Sequence, residues 1–208
     1  MKRPALRAAA MAALLAASGL FAGCAPLLVG GAVLGGTLMA TDRRTSGAQV
    51  EDQAIELKSM NRIRDVIGDR GHVSTTSYNR VVLITGEVQS EADKAAVEQA
   101  VQRVENVKST VNEVEVMGAS SLTSRSNDAI LSSKVKASFV DAKDLSANAF
   151  KVSTERGVVY LMGRVTEREA NRATELARGV SGVQKVVRLF EIITEQELAD
   201  LAPKAPAR

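Results

Sequence analysis

Apolar positions along this chain fall into two blocks that repeat each other. Val81-Val82-Leu83-Ile84-Thr85-Gly86-Glu87-Val88 returns as Val158-Val159-Tyr160-Leu161-Met162-Gly163-Arg164-Val165, 77 positions later. Each run reads as a buried strand ending at a glycine. A helical stripe follows in both: Ala92, Ala96, Val97, Ala100, Val101 and Val104, then Ala170, Ala173, Leu176, Ala177 and Val180. The offset drops to 76 there, so the second loop is one residue shorter. A last strand closes each block, through Val107, Val111, Val114 and Val116, and through Val183, Val187, Phe190 and Ile192.

A shorter strand precedes each central one, near His72 to Ser77 and Lys151 to Thr154. The turns between them, Tyr78-Asn79-Arg80 and Glu155-Arg156-Gly157, contain residues that accept positive φ, which predicts hairpins. Before these come helices predicted over Asp52 to Ile67 and Asp128 to Val140, with each Asp placed on the N-cap side. The unit is therefore α-β-β-α-β. Its first two strands are antiparallel and its last is parallel to a neighbour, because a helix crosses between them. The fold class is α+β: two tandem copies of a three-stranded mixed sheet, each covered on one face by two helices. With no Trp and 3% aromatic residues, both cores must be aliphatic.

The N-terminus does not belong to this pattern. Lys2, Arg3 and Arg7 precede an apolar run from Ala8 to Ala22, the layout of a secretory signal over residues 1–23. Phe21-Ala22-Gly23-Cys24 places small residues directly before the only cysteine, as a lipoprotein signal peptidase requires, so Cys24 is the expected lipidation site. Ala25 follows, with no Asp to retain the product at the inner membrane, which by bacterial sorting rules sends it to the periplasmic face of the outer membrane. Residues 24–44 read as a Gly-rich tether, 45–118 as the first domain, 119–123 as a linker, 124–194 as the second domain and 195–208 as a tail.

Charge narrows the function. The net +3 comes entirely from Lys2, Arg3 and Arg7, so the chain from residue 24 onward is neutral. General nucleic-acid binding needs a cationic surplus to displace counterions, and is excluded. The domains differ, however: residues 45–118 hold 8 basic and 12 acidic side chains, and residues 124–194 hold 12 and 8. A cationic domain beside a bilayer gains up to about 1 kcal/mol per well-placed Lys or Arg. Catalysis has little to stand on, because His72 is the single histidine and no cluster has metal-ligand spacing. Neither a cofactor nor a metal is expected.

The pattern of Gly163, Val165, Gly182, Val183 and Val186, after an Asp-led helix and before a terminal strand, resembles the BON domain. In the first copy Asn106 and Thr110 stand where Gly and Val are expected, so that copy is more divergent. The resemblance extends over residues 45–194 and, with the leader, to dual-BON outer-membrane lipoproteins. It implies binding of anionic phospholipids such as phosphatidylglycerol and cardiolipin, recruitment to the division site and support of the outer-membrane barrier.

Within the cationic domain the first helix is the expected lipid contact. Lysines flanking an apolar stripe suit a helix at an interface. Lys134 and Lys136 flank the stripe, Arg125 lies just before it, and Ile130 and Leu131 are candidates for shallow insertion, with Val135 and Phe139 assigned to the core. Tyr78, near a hairpin tip, is the candidate contact between the two domains. The alternative function is a periplasmic scaffold, whose acidic first domain docks cell-wall remodelling factors or the outer-membrane protein assembly machinery.

Overall fold

The computed structural model describes residues 42–201; Cys24, the signal segment and most of the tether lie outside these. The first domain runs α1 (Ser46–Ile67), β1 (Gly71–Tyr78), β2 (Val81–Val88), α2 (Glu91–Gln102) and β3 (Ser109–Val116). The second repeats it as α3 (Leu122–Asp141), β4 (Phe150–Glu155), β5 (Val158–Val165), α4 (Glu167–Gly179) and β6 (Lys185–Ile192), with a 3-10 turn at Ala147–Ala149. A short helix, α5 (Glu195–Leu201), follows. In each sheet the central strand pairs antiparallel with the strand before it and parallel with the strand after the crossover helix.

Two helices start a turn and a half earlier than the apolar pattern implies. Thr45 caps α1 by accepting the Ala48 N–H, and Ser121 caps α3 by accepting the Ser124 N–H, each at 3.1 Å. Their first turns are polar and exposed, so hydrophobic periodicity does not register them. Consequently Asp52 and Asp128 are interior helical residues, not N-caps, and α3 takes in the last residues of the expected linker. The expected tail also begins as structure. Thr194 and Glu197 form a reciprocal cap, Thr194 N–H donating to the carboxylate (2.8 Å) and Glu197 N–H to the hydroxyl (3.1 Å), which starts α5.

Three apolar clusters hold the body together. Ile55, Ile63 and Ile67 of α1 and Val97 and Val101 of α2 pack on Val82, Ile84 and Val88. In the second domain Val135 and Phe139 of α3 and Ala170, Ala173 and Ala177 of α4 cover Val159, Leu161 and Val165. The small alanines let α4 approach its sheet closely, while Phe139, Phe150 and Phe190 fill the far side, with ring centroids 5.2 and 5.9 Å apart. The third cluster joins the opposite sheet faces: Tyr78, Leu83, Tyr160 and Met162, with Val81, Val111, Val158, Val187 and Leu189 around them. The body is thus helices, sheet, sheet, helices. β2 and β5 are buried on both faces, which is why they read as continuous apolar runs rather than alternating ones.

Candidate functional site

Each hairpin is locked to its helix by a buried carboxylate. Asp52 accepts from the Ser77 hydroxyl (2.7 Å) and from the N–H groups of Asn79 and Arg80 (2.8 Å each). Asp128 accepts the Arg156 and Gly157 N–H groups at 2.8 and 2.9 Å. These turns need positive φ, at Asn79 and Arg80 and at Arg156 and Gly157, and their inward N–H groups have no strand partner. Burial alone would push the Asp52 carboxyl up; hydrogen bonds from Arg80, Ser77, Arg44 and Asn79 outweigh it and hold it below the ordinary carboxylate value.

The sheets meet reciprocally, the hairpin end of each domain lying beside the far end of the other. At one end Tyr78 closes β1, 4% exposed, and its hydroxyl accepts the Arg164 N–H at 3.1 Å. Burial pushes its phenol up to about 12. Beside it Asn79 donates to Glu191 (2.6 Å). At the other end Arg156 lies 3.7 Å from both Glu87 and Glu115. At the Tyr78 end Lys151 also pairs with Glu56 (2.6 Å) and donates to the Ser77 carbonyl (3.0 Å). Acids of the first domain thus face bases of the second, and part of the charge asymmetry is complementarity at this junction.

Two residues assigned to the tether belong to the junction. Arg43 donates to both Glu169 oxygens at 2.7 Å and to the Arg164 carbonyl at 3.0 Å, in the second domain. Arg44 pairs with Asp52 at 2.7 Å and lies over the Tyr78 ring, 4.3 Å from its centroid, in the first. Adjacent arginines therefore strap one domain to the other where the N-terminal chain enters the body. Their polar composition looked like linker; only the buried acids that receive them reveal the role.

The outward face of α3 carries the remaining expected residues. At about 100° per residue, Asp128, Leu131, Val135 and Phe139 fall on one side, and all four are buried. Leu131 is 7% exposed and lines the same wall as Gly182, so it is not available for insertion: it lies on the same side as Val135 and Phe139. Ile130 lies on the other side, 54% exposed, with Leu122 at the start of the helix and Val140 near its end. Lys134 and Lys136 are about 200° apart, so they edge this strip from opposite sides rather than standing together. Both are exposed, and neither makes an ion pair among the described residues. Arg125 is turned back on the helix start, donating to the Ser120 carbonyl and hydroxyl at 3.0 and 3.3 Å.

Beside the Lys134 edge lies a cavity of about 490 Å³, walled by α3, the β4–β5 turn and the loop before β6. A second, of about 250 Å³, opens between the domains at His72, Arg125 and Glu155. Burial, with the negative charges of Glu87 and Asp128, pushes the Glu155 carboxyl up to about 7. His72 Nδ1 stands 3.9 Å from Glu87 Oε2, too far for a hydrogen bond. Among the described residues no group of His, Cys, Asp and Glu could hold a metal, and no helix is long and apolar enough to cross a membrane.

Fold and surface define a class: a tandem of small α+β domains joined back to back, with a cationic outward helix in the second copy. Residues 51–118 and 127–194 each match the BON domain, and the chain belongs to the BON-domain family. It is 36% identical over 186 residues to outer membrane lipoprotein DolP of Haemophilus influenzae, covering 88% of this chain and 95% of that protein. The 21 kDa hemolysin of Actinobacillus pleuropneumoniae is 26% identical over 154 residues, covering 73% and 79%. Osmotically-inducible protein Y of Escherichia coli is 27% identical over 148 residues, covering 67% and 72%. The chain is an outer-membrane lipoprotein of the DolP family, and these matches indicate no enzyme family.

Proposed function

We propose that an acyl group on Cys24 holds the protein at the periplasmic face of the outer membrane, and that the outward face of α3 rests on anionic phospholipid headgroups there. One observation carries this reading: an exposed apolar strip, Leu122, Ile130 and Val140, edged on both sides by lysines that no carboxylate among the described residues neutralises. The apolar side chains would settle at headgroup depth while the ammonium groups reach phosphates on either flank. Most other cations of this domain are committed: Lys151, Arg156, Arg164, Arg168, Arg172 and Arg188 all pair with acids. The chain between Cys24 and the strap at Arg43 can extend to at most about 60 Å, enough to lay a helix of about 30 Å along the surface. By this contact the protein would support outer-membrane integrity and cell division.

Co-sedimentation of the C24S chain from residue 24 with phosphatidylglycerol or cardiolipin vesicles, against phosphatidylcholine, tests this. Neutralising both lysines in K134Q/K136Q removes about 2 kcal/mol and lowers binding about thirtyfold, and the reversal K134E/K136E lowers it further. Unchanged binding would refute the face. The first domain favours a second, compatible activity. Its outward helix α1 leaves Val50, Leu57 and Met60 exposed on an acidic domain, which suits an envelope protein partner better than an anionic bilayer. Crosslinking from Leu57 in cells would identify that partner.

A further inference from the structure

The two domains are copies, so the surroundings of a cavity in one can be compared position by position with the matching residues of the other. Positions around the 490 Å³ cavity correspond at an offset of 76: Lys58 to Lys134, Glu51 to Asn127, Glu105 to Ser181 and Asn106 to Gly182. Arg80 corresponds to Gly157 in the aligned turns. In the first domain these residues are tied to one another. Lys58 pairs with Glu105 at 3.2 Å, Asn106 donates to Glu51 at 2.8 Å, and Arg80 Nε donates to the Asn106 carbonyl at 2.6 Å. In the second domain every one of these ties has lost a partner. Serine replaces the acid that would neutralise Lys134, and glycines replace both plugging side chains. Both glycines keep the positive φ of the residues they replace, +76° at Gly157 and +102° at Gly182, so the backbone path survives without the stopper.

What remains is chemically one-sided. Lys134 supplies an ammonium group, and Ser124, Asn127, Ser181 and Gln184 supply neutral donors whose side chains are not engaged elsewhere among the described residues. The single carboxylate in the lining, Asp128, is already occupied on both oxygens by the turn N–H groups. Ile130 stands at the rim, joining the cavity to the apolar strip of α3. We infer that this cavity is a seat for the phosphodiester of an anionic lipid headgroup, with Lys134 against the phosphate, the neutral donors around the polar head and Ile130 toward the acyl glycerol. The inference rests on the proposed α3 contact and goes beyond it: α3 would supply adhesion, and the cavity would select the headgroup.

The test is an amide NMR titration of the C24S chain from residue 24, with soluble glycerophosphoglycerol in one arm and inorganic phosphate in another, beside the vesicle assay. Glycerophosphoglycerol should shift Gly157, Ser181 and Gly182 and leave Arg80 and Asn106 in place. S181E, which copies the Lys58–Glu105 tie into the second domain, should abolish those shifts and lower phosphatidylglycerol vesicle binding about fivefold, the worth of one lysine contact. G182N copies the other plug and serves if S181E does not fold. Absence of headgroup shifts, or shifts that survive both variants, overturns the seat. If vesicles still bind in that case, the α3 contact stands without it; if wild-type protein ignores anionic vesicles, the α3 contact itself fails. Inorganic phosphate acting as strongly as the headgroup would make this a free-phosphate site and overturn the lipid assignment.

Discussion

Removing the Asp52 carboxylate separates two readings of the same residue. As an N-cap it would be worth about 1 kcal/mol. In the structure it is the buried acceptor for the Ser77 hydroxyl and the Asn79 and Arg80 N–H groups at 2.7–2.8 Å, and it pairs with Arg44 at 2.7 Å. Asp52→Ala strands both turn amides, and a hydrogen bond to a charged group is worth about 1.5–3 kcal/mol. Arg44 retains Asp42, which limits the loss on that side. The expected destabilisation is about 4 kcal/mol, a large share of the roughly 5–15 kcal/mol of a whole protein. Urea unfolding followed by far-ultraviolet circular dichroism measures it, and a loss of about 1 kcal/mol or less would refute the hairpin lock. The pH dependence gives a second check. Because the folded carboxyl is held below its ordinary value, its contribution is present above that value and disappears as pH falls through the folded one. Asp52→Ala should lack this acid-side slope.

Two further outcomes follow from the junction. Glu155, pushed up to about 7, is protonated in the folded protein over a range where the unfolded chain is ionised, so its contribution is complete below the ordinary 4.5 and is lost as pH rises through about 7. Carboxyl NMR should show a midpoint near 7, Glu155→Gln should flatten that slope, and a midpoint near 4.5 would contradict the buried placement. Tyr78→Ala removes a ring from the cluster between the sheets and should cost about 3–5 kcal/mol, whereas Tyr78→Phe, losing only the bond from the Arg164 N–H, should cost about 1 kcal/mol. Small-angle scattering would show Tyr78→Ala enlarged and Tyr78→Phe unchanged; equal behaviour would contradict a packed junction.

The repeat, the mixed sheets and the helix-to-sheet cores were legible because strand and helix periodicities differ and occur twice. The start of α4 was legible too: Thr166-x-x-Glu169 ahead of its apolar stripe is a local capping signature, and in the structure the two residues form a reciprocal cap. The same signature at Thr194 and Glu197 starts α5 within a segment whose composition reads as tail. Asp52 and Asp128 were misplaced because an acid at the edge of an apolar stripe looks like a cap, and only the folded hairpin shows what it receives. Leu131 and Ile130 are adjacent in sequence, but neighbouring helical residues point about 100° apart, so one is buried and the other exposed. The Arg43 half of the strap depends on contacts across more than a hundred residues, whereas Arg44 reaches Asp52 only eight residues on. The open cavity was latent in the repeat: Glu105 against Ser181 and Asn106 against Gly182 stand in the aligned sequence, but their meaning needs the Lys58 pair in space.

The orientation of the body on a bilayer tests the central claim most directly. Methyl-labelled C24S chain from residue 24, bound to phosphatidylglycerol nanodiscs carrying nitroxide lipids, would report which outward helix meets the surface. The α3 contact requires strong quenching of Ile130 and Val140 while Val50, Leu57 and Met60 of α1 keep their signals. Equal quenching of both helices, or stronger quenching on α1, would contradict it.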